Sequence, residues 1–214
     1  AYDESARIGK APEPERLVHE LGSTFEVMKT NIKRWSVGSP IQAPLDGLYE
    51  LIGTHDIRPD DVERLVVRVS HQGANTVDDR DMPSICLQHL CAVMLLDRIV
   101  TFESAHDVPR MAAPAVRALR GRIELYGDDE MSAAMPSRQA ILELTLSDGR
   151  ELRHHVPAVL GTAENRMTRQ QVDEKCSHLL APVLGEQRSR ELCDAVWSIE
   201  DIGSMDELRP LLTA

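Results

Sequence analysis

The chain has 214 residues, room for one large domain or two small ones, and carries a formal net charge of -11. That acidity argues against nucleic acid as a partner, because phosphate binding needs a basic footprint, but it leaves room for a small anion at a locally basic spot. No run approaches the roughly 18 apolar residues of a membrane helix, and "AYDESARIGKAPEPERL" lacks the apolar core of a secretory leader, so the expected setting is cytoplasmic, away from any membrane.

Taken in chain order, "PEPERLVHELG" predicts a short helix, with Pro14 in its first turn and Gly22 as its C-cap. "STFEVMKTNIKRW" alternates loosely and predicts an extended segment, and "VGSPI" a turn. "QAPLDGLYELIGTHDI" predicts a helix with Leu45, Leu48, Leu51 and Ile52 on one side. After the turn "RPDD", "VERLVVRVS" alternates as a strand. "PSICLQHLCAVMLLDRIV" is the most apolar helix, opened by Pro83, with Asp97 near its end. "APAVRALRGRIELYGDDE" reads as a helix followed by a strand. "RQAILELTLSDGRELRHHVP" reads as two strands joined at Asp148-Gly149, a hairpin signal.

Beyond "VPAVLGTAENRM" the pattern turns helical. Thr168 and Gln171 form a capping box at the head of "TRQQVDEKCSHLLAPVLG", whose Val172, Cys176, Leu179, Leu180 and Val183 share a face. Two further helices, "QRSRELCDAVWSIEDI" and "SMDELRPLLTA", follow, the last opened by Ser204 and Glu207. The fold class expected is therefore α+β: an α+β layer over about residues 30–157, an N-terminal segment over 1–29, and helices over 158–214. The terminal helices are too few to close a core of their own. They call for a surface that this chain lacks, or for a second copy.

The chemistry-bearing residues are sparse. There is no phosphate-binding glycine loop, no nucleophile elbow and no HExxH or paired-cysteine metal site. Cys86, Cys91, Cys176 and Cys193 read as reduced core thiols. His154 and His155 point to opposite faces of a strand and cannot act as a pair, while His89 lies in the apolar helix, as a core histidine or a site residue. The chain has four lysines, Lys10, Lys29, Lys33 and Lys175, against twenty arginines, and "KTNIKR" is the densest basic patch before the C-terminal third. Lys33 is either a solvated lysine or a compact cation that receives a substrate carboxylate, with the following turn and helix start adding partial positive charge.

"IKRWSVGSPIQAPLDGL" resembles the lysine-containing motif of the MmgE/PrpD superfamily, which includes 2-methylcitrate dehydratase, cis-aconitate decarboxylase and iminodisuccinate epimerase. Lys33 takes the lysine position, Trp35 the aromatic one and Gln42 the His/Gln one, and Asp46 begins the helix. "IRPDDVERLVVRVS", "DMPSICLQHLCAVMLLDRIVTFESAHD" and the "DG … G … N-x-x-[ST]" passage from Asp148 to Thr168 follow in the same order, with His89 where a tyrosine is common.

The resemblance implies a lid-type α+β domain flanked by helices that belong to a larger all-helical domain, the chain corresponding to the C-terminal half of such a protein. It implies a small di- or tricarboxylate substrate and proton abstraction alpha to a carboxylate, ending in dehydration, decarboxylation or epimerisation. Lys33 is the expected catalytic residue, with Lys33, Arg34, Gln42 and His89 the expected substrate-binding set. The acid/base residues are expected on a missing N-terminal helical half, either a separate polypeptide or one removed, leaving this chain inactive alone. No metal or organic cofactor is implied, and a homo-oligomer is. The alternative is a non-catalytic carboxylate-binding or assembly module derived from the lid.

Overall fold

The structure, a computed structural model, describes residues 14–213. They fall into two units, one ending at Asn31 and one beginning at Ile32. The first holds two short 3-10 turns, Pro14–Leu17 and Glu26–Lys29. The helix expected there does not propagate: left-handed backbone at Glu20 (φ 55°) and Gly22 (φ 82°) interrupts it. Its expected first residues, 12 and 13, lie outside the described ones. The extended segment expected over residues 23–35 is not a strand either. It contains the second 3-10 turn, and from Ile32 to Gly38 it is an irregular loop.

The second unit is α+β. Its sheet has β1 (Val62–Ser70), β2 (Ile123–Asp128), β3 (Ala140–Leu146) and β4 (Glu151–Val156), in the order β2-β1-β3-β4. β1 runs parallel to β2, with Leu65 beside Ile123, and antiparallel to β3, with Val67 beside Leu142. The parallel pair requires a long crossover, which the helices between the two strands supply. β3 and β4 form the hairpin predicted at Asp148-Gly149. Gly149 takes the left-handed conformation (φ 86°), and its N–H donates to the Leu146 carbonyl.

One face of the sheet is apolar, because alternate residues of a strand share a face: Leu65, Val67 and Val69 of β1, with Leu142 and Leu144 of β3, join the core. Against it lie α1 (Gln42–His55) and α3 (Leu87–Asp97), which also pack on each other. α1 buries the predicted stripe Leu45, Leu48, Leu51 and Ile52. α3 is buried nearly all round, as its unbroken apolar sequence requires. The opposite sheet face is charged: Arg64 pairs with Glu124 at 2.7 Å and Arg68 with Glu143 at 3.2 Å. Short helices α2 (His71–Val77), α4 (Phe102–His106), α5 (Pro114–Arg120) and α6 (Asp129–Ala133) fill the crossovers.

Past β4 come α7 (Arg169–Leu184) and α8 (Glu186–Trp197), then a 3-10 segment Met205–Leu211. Both predicted capping boxes form, Thr168 with Gln171 and Ser204 with Glu207. α7 fully buries none of its residues; Leu179 and Val183 on its apolar face are exposed. Cys86 and Cys91 are buried thiols, whereas Cys176 and Cys193 on these last helices are half-buried.

Gly47 marks the closest approach of α1 to the sheet. A Cβ added there meets Leu142 Cδ1 at 2.7 Å and Val156 Cγ2 at 2.9 Å, both in the core. Alanine favours a helix over glycine by about 1 kcal/mol, but overpacking costs about 1–3 kcal/mol. Gly47→Ala is therefore expected to lower the urea midpoint of unfolding. A midpoint raised by the substitution contradicts this packing.

Candidate functional site

The loop that carries Lys33 and Arg34 has no strand neighbour, so its backbone groups need partners from elsewhere. Gln42, in the first turn of α1, supplies them. Its buried amide accepts from the Trp35 N–H at 3.1 Å and donates to the carbonyls of Trp35 at 2.9 Å and Val37 at 3.3 Å. Four residues on, one turn along the same helix face, Asp46 accepts from the Trp35 indole Nε1 at 2.9 Å and from the backbone N–H of Leu160 at 2.9 Å. Burial pushes the Asp46 carboxyl above its ordinary pKa, and these two hydrogen bonds, with Arg34 beside it, act against that rise.

The Leu160 segment is shaped for this contact. Gly161 has φ 97°, and a Cβ there would land on the Ile32 carbonyl. The Ile32 N–H donates to the Gly161 carbonyl at 2.8 Å, and the Gly161 N–H to that of Asn165 at 2.7 Å. The Asn165 side chain donates to the Ala158 carbonyl at 3.0 Å, and Thr168 caps α7. The glycine, asparagine and threonine of the "G … N-x-x-T" passage thus hold one turn that delivers α7 beside the lysine loop.

Arg34 is wedged against two rings, 4.5 Å from the Trp35 centroid and 4.2 Å from the Tyr49 centroid, with Asp46 at 3.9 Å. Such stacking fixes the plane of the guanidinium while leaving its rim free to donate. Lys33 is exposed, and its Nζ donates to the Val37 carbonyl at 3.2 Å. That carbonyl is already held by Gln42, so Lys33 can leave it without stranding a buried acceptor. The Nζ of Lys175, from α7, donates to the Lys33 carbonyl.

A cavity of about 590 Å³ lies between this loop, α1 and α7, with Arg34, Tyr49, Thr101, Gln171, Lys175 and His178 among its walls. A second, of about 790 Å³, lies on the other side of Arg34 and Tyr49 and reaches His154 and Asn165. Arg34 and Tyr49 line both. Of the expected site residues, Lys33, Arg34 and Gln42 come together here, but only Arg34 lines the cavities; Gln42 holds the backbone, and Lys33 lines neither. Asp46, Tyr49 and Lys175 join them; composition marks Lys175 as one of only four lysines, but nothing local ties it to Lys33.

His89 lies apart, in α3, and lines neither cavity. Among the described residues its two buried ring nitrogens have no hydrogen-bond partner. Burial first, then the charges of Arg120 and Arg110, push the ring down to about 4, so it is neutral at pH 7.

The MmgE/PrpD C-terminal domain matches residues 35–199 of the chain. The chain belongs to the MmgE/PrpD family. The match begins at Trp35, so Lys33 lies just ahead of it, while Gln42, Asp46 and the Gly161–Thr168 turn lie within it. Among curated proteins it is 27% identical to a 2-methylcitrate dehydratase-like protein, oryR, of Aspergillus oryzae, over 82% of this chain and 40% of that relative. This MmgE/PrpD chain therefore spans 40% of the length of the curated relative it matches.

The orphaned imidazole gives a pH test. With a folded pKa near 4 against the ordinary 6.5, the unfolded chain takes up the His89 proton first as pH falls. Its contribution to stability is complete above about pH 6.5 and is lost as pH falls toward 4, at about 1 kcal/mol per pH unit. Urea unfolding at pH 7, 6 and 5 should show that slope shallower in His89→Leu than in the unsubstituted chain. Equal slopes contradict a neutral, unpartnered His89.

Proposed function

We propose that this chain supplies the lid half of an MmgE/PrpD-type enzyme that acts on a small polycarboxylate by removing a proton alpha to a carboxylate. In this reading, residues 30–157 form the lid, and residues 158–214 belong with an all-helical domain carried by an N-terminal half. The observation that carries it is the cationic loop Lys33–Arg34, whose following residues are held by Gln42 and Asp46, with Arg34 lining the cavity. Removing a proton alpha to a carboxylate builds an enolate-like dianion. Cations fixed before the reaction stabilise that charge without having to reorganise.

Lys33 takes the role of receiving a carboxylate and the developing oxyanion, leaving the Val37 carbonyl to Gln42. Arg34, oriented by its two aromatic neighbours, binds a second oxygen pair. The base and acid come from the N-terminal half. Loss of water, loss of CO2 and return of the proton to the other face all begin from the same dianion, so the site described supports the first step in common. The 40% span of the relative and the exposed Leu179, Val183, Val196 and Trp197 on α7 and α8 favour an additional helical surface packed there.

The chain should be expressed alone and together with the reading frame immediately upstream of its gene, and both examined by native mass spectrometry. Where the N-terminal half is a separate polypeptide, a hetero-complex that consumes citrate-like or iminodisuccinate-like substrates is expected. In it, Lys33→Ala should lower turnover by roughly 100-fold, the scale seen when one oxyanion-stabilising donor is removed. Turnover unchanged by Lys33→Ala removes the lysine from the mechanism. A homo-oligomer that binds such acids without consuming them favours a carboxylate-binding module instead.

A further inference from the structure

We propose that Lys175 is a further carboxylate-binding residue of this site, so that the cavity between the lysine loop and α7 takes a di- or tricarboxylate bridged between Lys175 and Arg34. This rests on reading the site as one for polycarboxylates, and adds to it a residue that lies 142 positions from the lysine loop.

The lining of the cavity carries three full charges, Arg34, Glu174 and Lys175. Glu174 is engaged by the Gln170 amide at 2.9 Å. Arg34 belongs to the loop wall and Lys175 to the α7 wall, so the two cations approach the space from different elements. Among the described residues no carboxylate pairs with Lys175, and the neighbouring cation acting on it is Lys33. An ammonium has three N–H donors and no acceptor. One of those donors is used on the Lys33 carbonyl, which anchors the side chain and leaves the others for a ligand.

The volume of about 590 Å³ falls within the range of small-molecule sites. Two cations on separate walls match a ligand with two or more carboxylates better than a monoacid, because only the former can satisfy both. Burial and the neighbouring Lys33 charge push the Lys175 amine below its ordinary pKa. The negative charge of an entering carboxylate acts against that shift. The titratable groups around Lys175 are Lys33, Arg34, Tyr49, Glu174, Cys176 and His178.

The test is calorimetric titration of the full chain with tricarballylate, a tricarboxylate that has no hydroxyl to lose, against acetate as the monoacid. The unsubstituted chain should bind tricarballylate and not acetate, and Lys175→Met should weaken it by roughly tenfold or more, the loss of one charge-assisted hydrogen bond. Lys175→Arg should retain most of the affinity. Affinity in the unsubstituted chain should fall as pH rises through the lowered Lys175 pKa, and this fall should be absent in Lys175→Arg, whose guanidinium does not titrate.

Lys33→Met, run in parallel, separates the contribution of that amine. Should Lys175→Met fail to fold, the pH profiles of the unsubstituted chain and Lys175→Arg decide alone. Tight tricarballylate binding by a folded Lys175→Met, or the same pH profile in Lys175→Arg, overturns the role of Lys175 and leaves the polycarboxylate reading standing. No binding by the unsubstituted chain overturns both.

Discussion

Two polar side chains one turn apart on one helix hold the candidate site together. Gln42 satisfies three backbone groups of the loop Trp35–Val37, and Asp46 grips the indole of Trp35 and the amide of Leu160. Both sit on a helix whose other face is clamped into the sheet through Leu45, Leu48 and Gly47. The position of the loop is therefore inherited from a helix packed into the core. A cation on a free loop would have to be ordered by its ligand at a cost in affinity. A cation on this loop is ordered beforehand.

The same arrangement settles how charge is distributed in an acidic protein. Asp46 is the carboxylate nearest Arg34, and it is held by two N–H donors, so Arg34 is steadied at 3.9 Å rather than captured in a closed pair. Its guanidinium keeps donors for the cavities on either side. Tyr49 and Trp35 give it a flat seat, and α7 brings Lys175 to the opposite wall. The charged outer face of the sheet is different in kind. Arg64, Glu124, Arg68 and Glu143 pair among themselves in contact with water, where such pairs are individually weak.

Much of this was legible in the sequence because it is local. The stripe of α1, the alternation of β1, the two capping boxes and the Asp148-Gly149 hairpin each depend on residues within a few positions of one another, and each formed. Lys33, Arg34 and Gln42 were legible as a group through the motif that contains them. The extended reading of residues 23–35 failed for a tertiary reason: alternation alone does not supply a neighbouring strand, and Gln42 takes the backbone bonds at Trp35 and Val37 that a ladder would have used. Lys175 and Leu160 were out of reach because their contacts with the lysine loop and with Asp46 span 142 and 114 positions. His89 read equally well as core or site from its apolar surroundings; its unpartnered nitrogens are visible only once the helix is packed.

Asp46 joins the lysine loop and the turn before α7 into one unit. Hydrogen exchange followed by NMR tests it most directly, at the indole N–H of Trp35 and the backbone N–H of Leu160. Both donate to the same carboxylate from segments far apart in the chain. If one opening event exposes both, they show the same opening free energy once each rate is divided by its intrinsic rate, and a larger one than the indole of Trp197, whose N–H donates to Asp173 from a ring 39% exposed. A Trp35 indole that opens as readily as that of Trp197, or independently of Leu160, contradicts that joining.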